Sequence, residues 1–179
     1  MKYKKSDIQV FDNFLCADAF YDLKEAVMTS GEWVYHPYTA MGCLRGAEDH
    51  IANYHFTNMP YDKCMKLNDL FNDCTRFLDG INAFMIYRLK FNLNIRHSEN
   101  IPQGWHADIE QAPEGVRTGI LYLHSTDGGT LLETDEGDIK VDCIENRFVS
   151  FPSKMPHSGL THTYPRERCV LNVNYLPWE

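Results

Sequence analysis

Residues 168–175, Arg-Cys-Val-Leu-Asn-Val-Asn-Tyr, alternate in a way that fixes how the segment must lie. Arg168, Val170, Asn172 and Asn174 fall on one side, and Cys169, Leu171, Val173 and Tyr175 on the other. A β-strand sends successive side chains to opposite faces, so this is a strand with one apolar and one mixed face. Residues 81–94 repeat the pattern over their second half, with Leu89, Phe91 and Leu93 set against Arg88, Lys90, Asn92 and Asn94. If the mixed face of 168–175 points into a barrel, Arg168 is a buried cation that demands an anion, and a keto-acid carboxylate would satisfy its planar fork. The alternative is an Arg168 that faces water and pairs with Glu167 or another surface acid.

Further short runs at 118–124, 130–133, 138–141 and 147–151, with a turn at Asp127-Gly-Gly, give the spacing of a β-sandwich or barrel. Two helices are expected ahead of them. One is capped by Asp12 or Asp18, carries Phe20, Leu23, Ala26 and Val27 on one face, and stops at Gly31. The other runs from about 60 to 78, with Met65, Leu67, Leu70, Phe71, Cys74 and Leu78 near helical spacing and Gly80 as its end. Residues 31–59 read as strands and loops rich in aromatics and His. The expected fold is mainly β with N-terminal helices: a double-stranded β-helix (jelly roll, cupin-like) with helices on one sheet. Residues 1–179 are expected to form a single domain, 1–80 as helical support and lid and 81–179 as the catalytic core.

A chain of 179 residues is long enough to bury a core. Its formal net charge of −8 argues against a duplex nucleic-acid binder, so a protein residue or small molecule is favoured as substrate. No apolar run approaches a membrane span, and the N-terminus lacks the apolar stretch of a signal peptide. Cys16, Cys43, Cys64, Cys74, Cys143 and Cys169 are dispersed, without a C-x-x-C pair. That usage suits reduced thiols and a cytoplasmic location.

Trp105-His106-Ala-Asp108 places an imidazole and a carboxylate two residues apart, on the same side of an extended segment. His157, after the turn residue Pro156, brings a second imidazole from later in the chain. Two His and one carboxylate on one face form the set that holds non-heme Fe(II) with positions left open. The rival pair His97 and Glu99 sits where its strand frays into polar residues, whereas Gly104 provides a turn before His106. His124 and His162 compete for the distal place. His124 reads as loop, and His162 leaves only five residues before Arg168, where His157 leaves ten.

The order of these segments resembles the Fe(II)/2-oxoglutarate-dependent dioxygenases, especially the small prolyl-4-hydroxylase-like and phage-type members. It covers about residues 82–176: the strand Tyr87-Arg-Leu-Lys-Phe-Asn-Leu, Trp-His106-Ala-Asp108, Ile120-Leu-Tyr-Leu, Asp127-Gly-Gly-Thr, Phe151 to His157-Ser, and Arg168. The resemblance implies Fe(II) on His106, Asp108 and His157, and 2-oxoglutarate with its distal carboxylate on Arg168. It implies Tyr122 near the co-substrate, and Asn92 is a candidate for the keto-acid end. Val170 departs from the family, many members of which carry Ser or Thr two residues after the arginine. The implied reaction uses O2 and 2-oxoglutarate to hydroxylate a substrate, with release of succinate and CO2. A jelly-roll binding or scaffold protein and a cupin-type iron enzyme that does not use 2-oxoglutarate remain open readings.

Overall fold

The computed structural model describes residues 3–38, 54–62 and 67–178. Among them a short 3-10 turn (Lys5–Asp7) leads into β1 (Gln9–Phe11), α1 (Ala17–Thr29), β2 (Val34–His36) and β3 (His55–Asp62). Two short helices follow, α2 (Leu70–Asp73) and α3 (Thr75–Gly80). The rest is β: β4 (Ala83–Ile95), β5 (Arg117–Tyr122), β6 (Gly129–Thr134), β7 (Gly137–Asp142), β8 (Phe148–Pro152), β9 (His157–Leu160) and β10 (Glu167–Pro177). A seven-stranded sheet has the order β1-β8-β5-β10-β4-β3-β2, and a three-stranded sheet the order β7-β6-β9. The two form a jelly roll, as the strand pattern predicts. No described helix is long and apolar enough to cross a membrane.

The alternation in β4 and β10 sorts side chains between two cores. Leu89, Phe91, Cys169, Leu171, Val173 and Tyr175 face outward, onto Phe20, Leu23 and Val27 of α1 and Phe77 of α3. Burying each of these large side chains contributes about 1.5–3 kcal/mol relative to exposure, which fastens the helices to the sheet. Gly119 of β5 leaves room on this face for the Phe148 ring, which a Cβ there would meet at 2.6 Å. The inner faces form a second core between the sheets, with Ile120, Tyr122, Leu132, Val149, Phe151 and Val170. The polar residues of β4 and β10 therefore open into the roll. Register pairs them across the two strands: Arg168 with Asn94, Val170 with Asn92, Asn172 with Lys90, and Asn174 with Arg88.

Several local expectations need correction. Residues 60–62 finish β3 and do not start a helix, and 63–66 lie outside the described residues. Pairing of Tyr61 with Leu89 fills hydrogen-bonding groups on the edge of β4, and that tertiary gain outweighs local helical spacing. What helix exists there breaks at Cys74, which ends α2 and begins α3, and Gly80 is the last residue of α3. Neither Asp12 nor Asp18 caps α1. Cys16 occupies the N-cap and Asp18 lies in the first turn, while Asp12 accepts hydrogen bonds from Arg147 Nε at 2.6 Å and Nη2 at 3.0 Å. The helix closes at Ser30, one residue before Gly31. The short strands β1 and β9 are additions to the sequence reading. Three strands of the large sheet, β1, β2 and β3, come from the first 80 residues.

Candidate metal centre

The segment 101–106 has no strand of its own, yet it runs along the free edge of β9. Gln103 N–H donates to the Gly159 carbonyl at 2.8 Å, and Thr161 N–H donates to that of Ile101 at 3.0 Å. His106 and His157 then exchange N–H···O bonds, both 2.9 Å. Directly opposed residues of an antiparallel pair project to the same face. The two imidazoles accordingly lie side by side, with ring centroids 4.4 Å apart. Pairing slips by one residue between Pro102↔Leu160 and His106↔His157. Gly104, at φ 102, lies within the slip, where a glycine tolerates the left-handed backbone.

Both rings are oriented by a backbone carbonyl two residues earlier. His106 Nδ1 lies 3.2 Å from the Gly104 oxygen, and His157 Nδ1 lies 3.0 Å from that of Met155. An Nδ1–H donated there leaves each Nε2 with a free lone pair, as a metal ligand requires. Burial, with His106 adding to it, lowers the pKa of His157 to about 4, so that imidazole is neutral at pH 7. The Nε2 atoms of His106 and His157 lie 3.9 Å from Asp108 Oδ1 and Oδ2 respectively. Cis ligands about 2.1 Å from one ion lie about 3 Å apart and opposed ones about 4.2 Å, so a small inward shift of these side chains would let them share one cation. The donor atoms of the three residues all lie within 4.8 Å of one another.

Asp108 is held by four donors. Oδ1 accepts from Arg88 Nη2 at 2.8 Å. Oδ2 accepts from Thr118 Oγ1 at 2.9 Å, Asn172 Nδ2 at 3.2 Å and Asn174 Nδ2 at 3.0 Å. Burial alone would raise the carboxyl pKa. Arg88, helped by His157, His106 and Lys90, outweighs it and holds the pKa well below the usual carboxylate range. With Oδ2 taking three bonds and Oδ1 one, Oδ1 is the oxygen with a lone pair left for a metal. Thr118, Asn172 and Asn174 were absent from the sequence reading of the site, which held Arg88 only as part of the polar face of residues 81–94 and not as a partner of Asp108. Their signal was present as the polar faces of the two long strands, but a partner is assigned only once the strands are paired.

Arg168 is buried at the inner end of the same cavity, which Asn92, Asn94, Gln103 and Thr130 also line. Its guanidinium donates to the carbonyls of Gly129 at 3.0 Å and Leu160 at 3.5 Å, and its Nε has no partner among the described residues. No acid among the described residues forms an ion pair with it, so the surface alternative with Glu167 does not hold. Asn92 Oδ1 is likewise buried and has no partner among the described residues. Tyr122 lies behind the cavity wall. Its hydroxyl donates to Thr130 Oγ1 at 2.8 Å, and the Arg168 guanidinium carbon sits 5.9 Å from its ring centre. It braces the cation from the side. The rival candidates stay apart from the cluster: His97 and Glu99 lie on the partly exposed loop after β4, and His124 Nδ1 accepts the Cys169 N–H at 3.2 Å. His162 is fully buried outside the cavity lining.

Solved structures share this architecture. A Pseudomonas putida prolyl-4-hydroxylase superposes with a TM-score of 0.61 at 16% identity, over 97% of this chain and 94% of its own. A 2OG-Fe(II) oxygenase-family oxidoreductase from Burkholderia pseudomallei gives 0.66 at 15% identity, over 96% and 86%. The chain has the fold of the Fe(II)/2-oxoglutarate oxygenases. That fold also includes the epimerase SnoN, solved in complex with Fe3+, α-ketoglutarate and nogalamycin RO. SnoN gives 0.69 at 10% identity, over 96% of this chain and 79% of its own. No family model and no curated protein matches the sequence. The oxygenase fold and a His-Asp-His cluster able to hold a metal thus occur in one chain.

Proposed function

We propose that this chain is an Fe(II)- and 2-oxoglutarate-dependent dioxygenase that hydroxylates its substrate, O2 and 2-oxoglutarate being consumed and succinate and CO2 released. The reading rests on one observation: His106, Asp108 and His157 share a cavity with a buried Arg168 that has no acidic partner among the described residues. Iron bound there would supply O2 activation and oxidation of a substrate C–H bond. His106 and His157 would each present Nε2, and Asp108 would present Oδ1. Arg88, Thr118, Asn172 and Asn174 fix the carboxylate, as hydrogen bonds behind a metal ligand orient it and tune its basicity. Asp108 also occupies a position that a halide would need, which favours hydroxylation over halogenation.

Arg168 supplies the inner anchor. Its charge, which no acid among the described residues balances, fits the distal carboxylate of a dicarboxylic keto acid, and Tyr122 would keep the fork in place. Asn92 lies between Arg168 and the Asp108-bound Asn172 along the paired strands, and would bond the oxo-acid end. Ile120 and Val170 give the cavity apolar walls that limit water. Residues 81–179 would carry this chemistry within a single domain, with 1–80 as support and lid.

The test is succinate formed from 2-oxoglutarate by the purified chain with Fe(II) and ascorbate. Iron-dependent succinate that disappears in His106→Ala supports the proposal. Metal binding without 2-oxoglutarate consumption would point to a cupin-type enzyme, and neither would point to a binding protein.

A further inference from the structure

Beyond the triad, away from Arg168, a second space opens against β2, β3 and the outer half of β4. Arg88, Met59, Thr57, His36 and Tyr38 line it. Lys90, His55, His106 and Asp108 border both this space and the inner cavity. Among the described residues the two spaces hold three cations, Arg88, Lys90 and Arg168, against one carboxylate, Asp108. A divalent metal and a doubly negative keto acid cancel each other, so loading leaves that excess of two positive charges unchanged. Charge removed from bulk water requires a counter-charge, and neither the described protein nor its co-substrate supplies one.

Lys90 is where the excess is least satisfied. It is half-buried and forms no hydrogen bond or ion pair with any described residue, although it borders the metal cluster. Burial, with Arg88 adding to it and Asp108 partly opposing it, lowers its pKa to about 8, so the ammonium persists at neutral pH without a hydrogen-bonded partner among the described residues. His55 lies beside it, 4% exposed, with Nδ1 unpaired and its ring stacked on His36 at 5.4 Å. Burial lowers the pKa of His55 to about 3, so it offers a neutral imidazole able to donate one hydrogen bond.

We propose that the substrate of this site is an anion, bringing a carboxylate or phosphate group to Lys90 and His55, with Arg88 adding its field, on the outer side of the triad. A cationic or purely apolar substrate would leave the excess unbalanced. The inference rests on the metal-site reading above and assigns the substrate class for that site.

The test uses the zinc-loaded full chain, 15N-labelled and saturated with 2-oxoglutarate. Inorganic phosphate, acetate and, as a neutral control, acetamide are titrated in. Saturable shifts of the amides of residues 55–59 and 88–92 with an anion, and none with acetamide, are expected. Lys90→Met should weaken that binding about tenfold or more, and Lys90→Arg should restore most of it. Tighter binding of phosphate indicates a phosphate ester, and tighter binding of acetate a carboxylate; each supports the proposal. Absence of saturable anion binding in the loaded protein overturns it. So does a Lys90→Met variant that keeps anion binding but loses 2-oxoglutarate as severely as Arg168→Met, because Lys90 then belongs to the co-substrate. If 2-oxoglutarate does not bind at all, the dioxygenase reading falls. The same anion titration on unloaded Arg168→Met then decides the outer site separately.

Discussion

His106 and His157 form an antiparallel pair through two 2.9 Å backbone hydrogen bonds, which brings imidazoles from residues 51 positions apart onto one face. Neither histidine depends on the other's side chain for its position. His106→Ala or His157→Ala should therefore leave the fold intact and abolish stoichiometric Mn(II) binding in calorimetry, since three protein ligands are needed together. His97→Ala should leave binding unchanged; loss of metal there would move the site to the wrong loop.

Arg168→Ala should act on co-substrate and spare the metal. A lost charge-assisted bidentate contact costs about 2–3 kcal/mol, or roughly 30- to 150-fold in 2-oxoglutarate affinity. Lysine at this position should rescue only in part, because an ammonium lacks the planar fork. Unchanged 2-oxoglutarate affinity of the Mn(II) protein in the alanine variant would remove Arg168 from the site.

Gly159 provides a gentler probe of the same place. A Cβ there would lie 2.7 Å from Gln103 Oε1 and 3.7 Å from Arg168 Nη1. Gln103 is buried, so the added methyl must displace its amide from a packed position, and Gly159→Ala should cost about 1–3 kcal/mol in stability. The displaced amide would then enter the cavity and weaken 2-oxoglutarate binding. Equal affinity in wild type and variant would show that this wall is remote from the ligand.

Neighbouring residues of β4 should behave as opposites. Leu89 is fully buried against the helices, so Leu89→Ala should cost about 2–5 kcal/mol in urea denaturation. Lys90→Ala removes a cation without a described partner and should change stability by under about 1 kcal/mol. The reverse order would mean that β4 presents its other face to the roll.

Acid should destabilise the metal-free protein well above the range in which carboxylates titrate. Burial keeps His55 neutral down to about pH 3, and His157 and His162 down to about pH 4. In the unfolded chain each takes up a proton near pH 6.5. Their contribution is therefore complete above about pH 6.5 and is lost as pH falls toward 4. At pH 5 the unfolded chain binds roughly two to three more protons than the folded one at these positions. The urea midpoint should fall steeply between pH 7 and pH 5, and His162→Asn should flatten the fall. A flat profile in the wild type would contradict the burial of these rings.

The long strands were legible in the sequence because a mixed polar and apolar alternation has no other good solution. The same alternation put Arg168 and Lys90 on mixed or polar faces, and the pairing of β4 with β10 turns those faces inward. The His106, Asp108 and His157 set followed from ligand chemistry and turn residues. What stayed hidden depends on contacts across long separations. The Asp12 carboxylate is drawn to Arg147 and so does not cap α1, and Tyr61 is drawn into a strand by β4. The partners of Asp108 come from β4, β5 and β10, and only the register of those strands brings Arg88, Thr118 and Asn174 together. Tyr122 illustrates the limit of resemblance, since it reaches the site only through the side of Arg168.

The place of β10 has a consequence for the order of assembly during synthesis. It lies between β5 and β4, joining β1-β8-β5 to β4-β3-β2, and it carries Arg168, Asn172 and Asn174. Until β10 has been made, the edges of β5 and β4 that it joins have no strand to pair with, and both cores lack a wall. The triad residues are then already made, but Asp108 lacks two of its four donors and the inner cation is missing. Pairing of β10 closes the sheet and in the same step supplies the last two Asp108 donors and Arg168, so the candidate metal site is finished only when the sheet is.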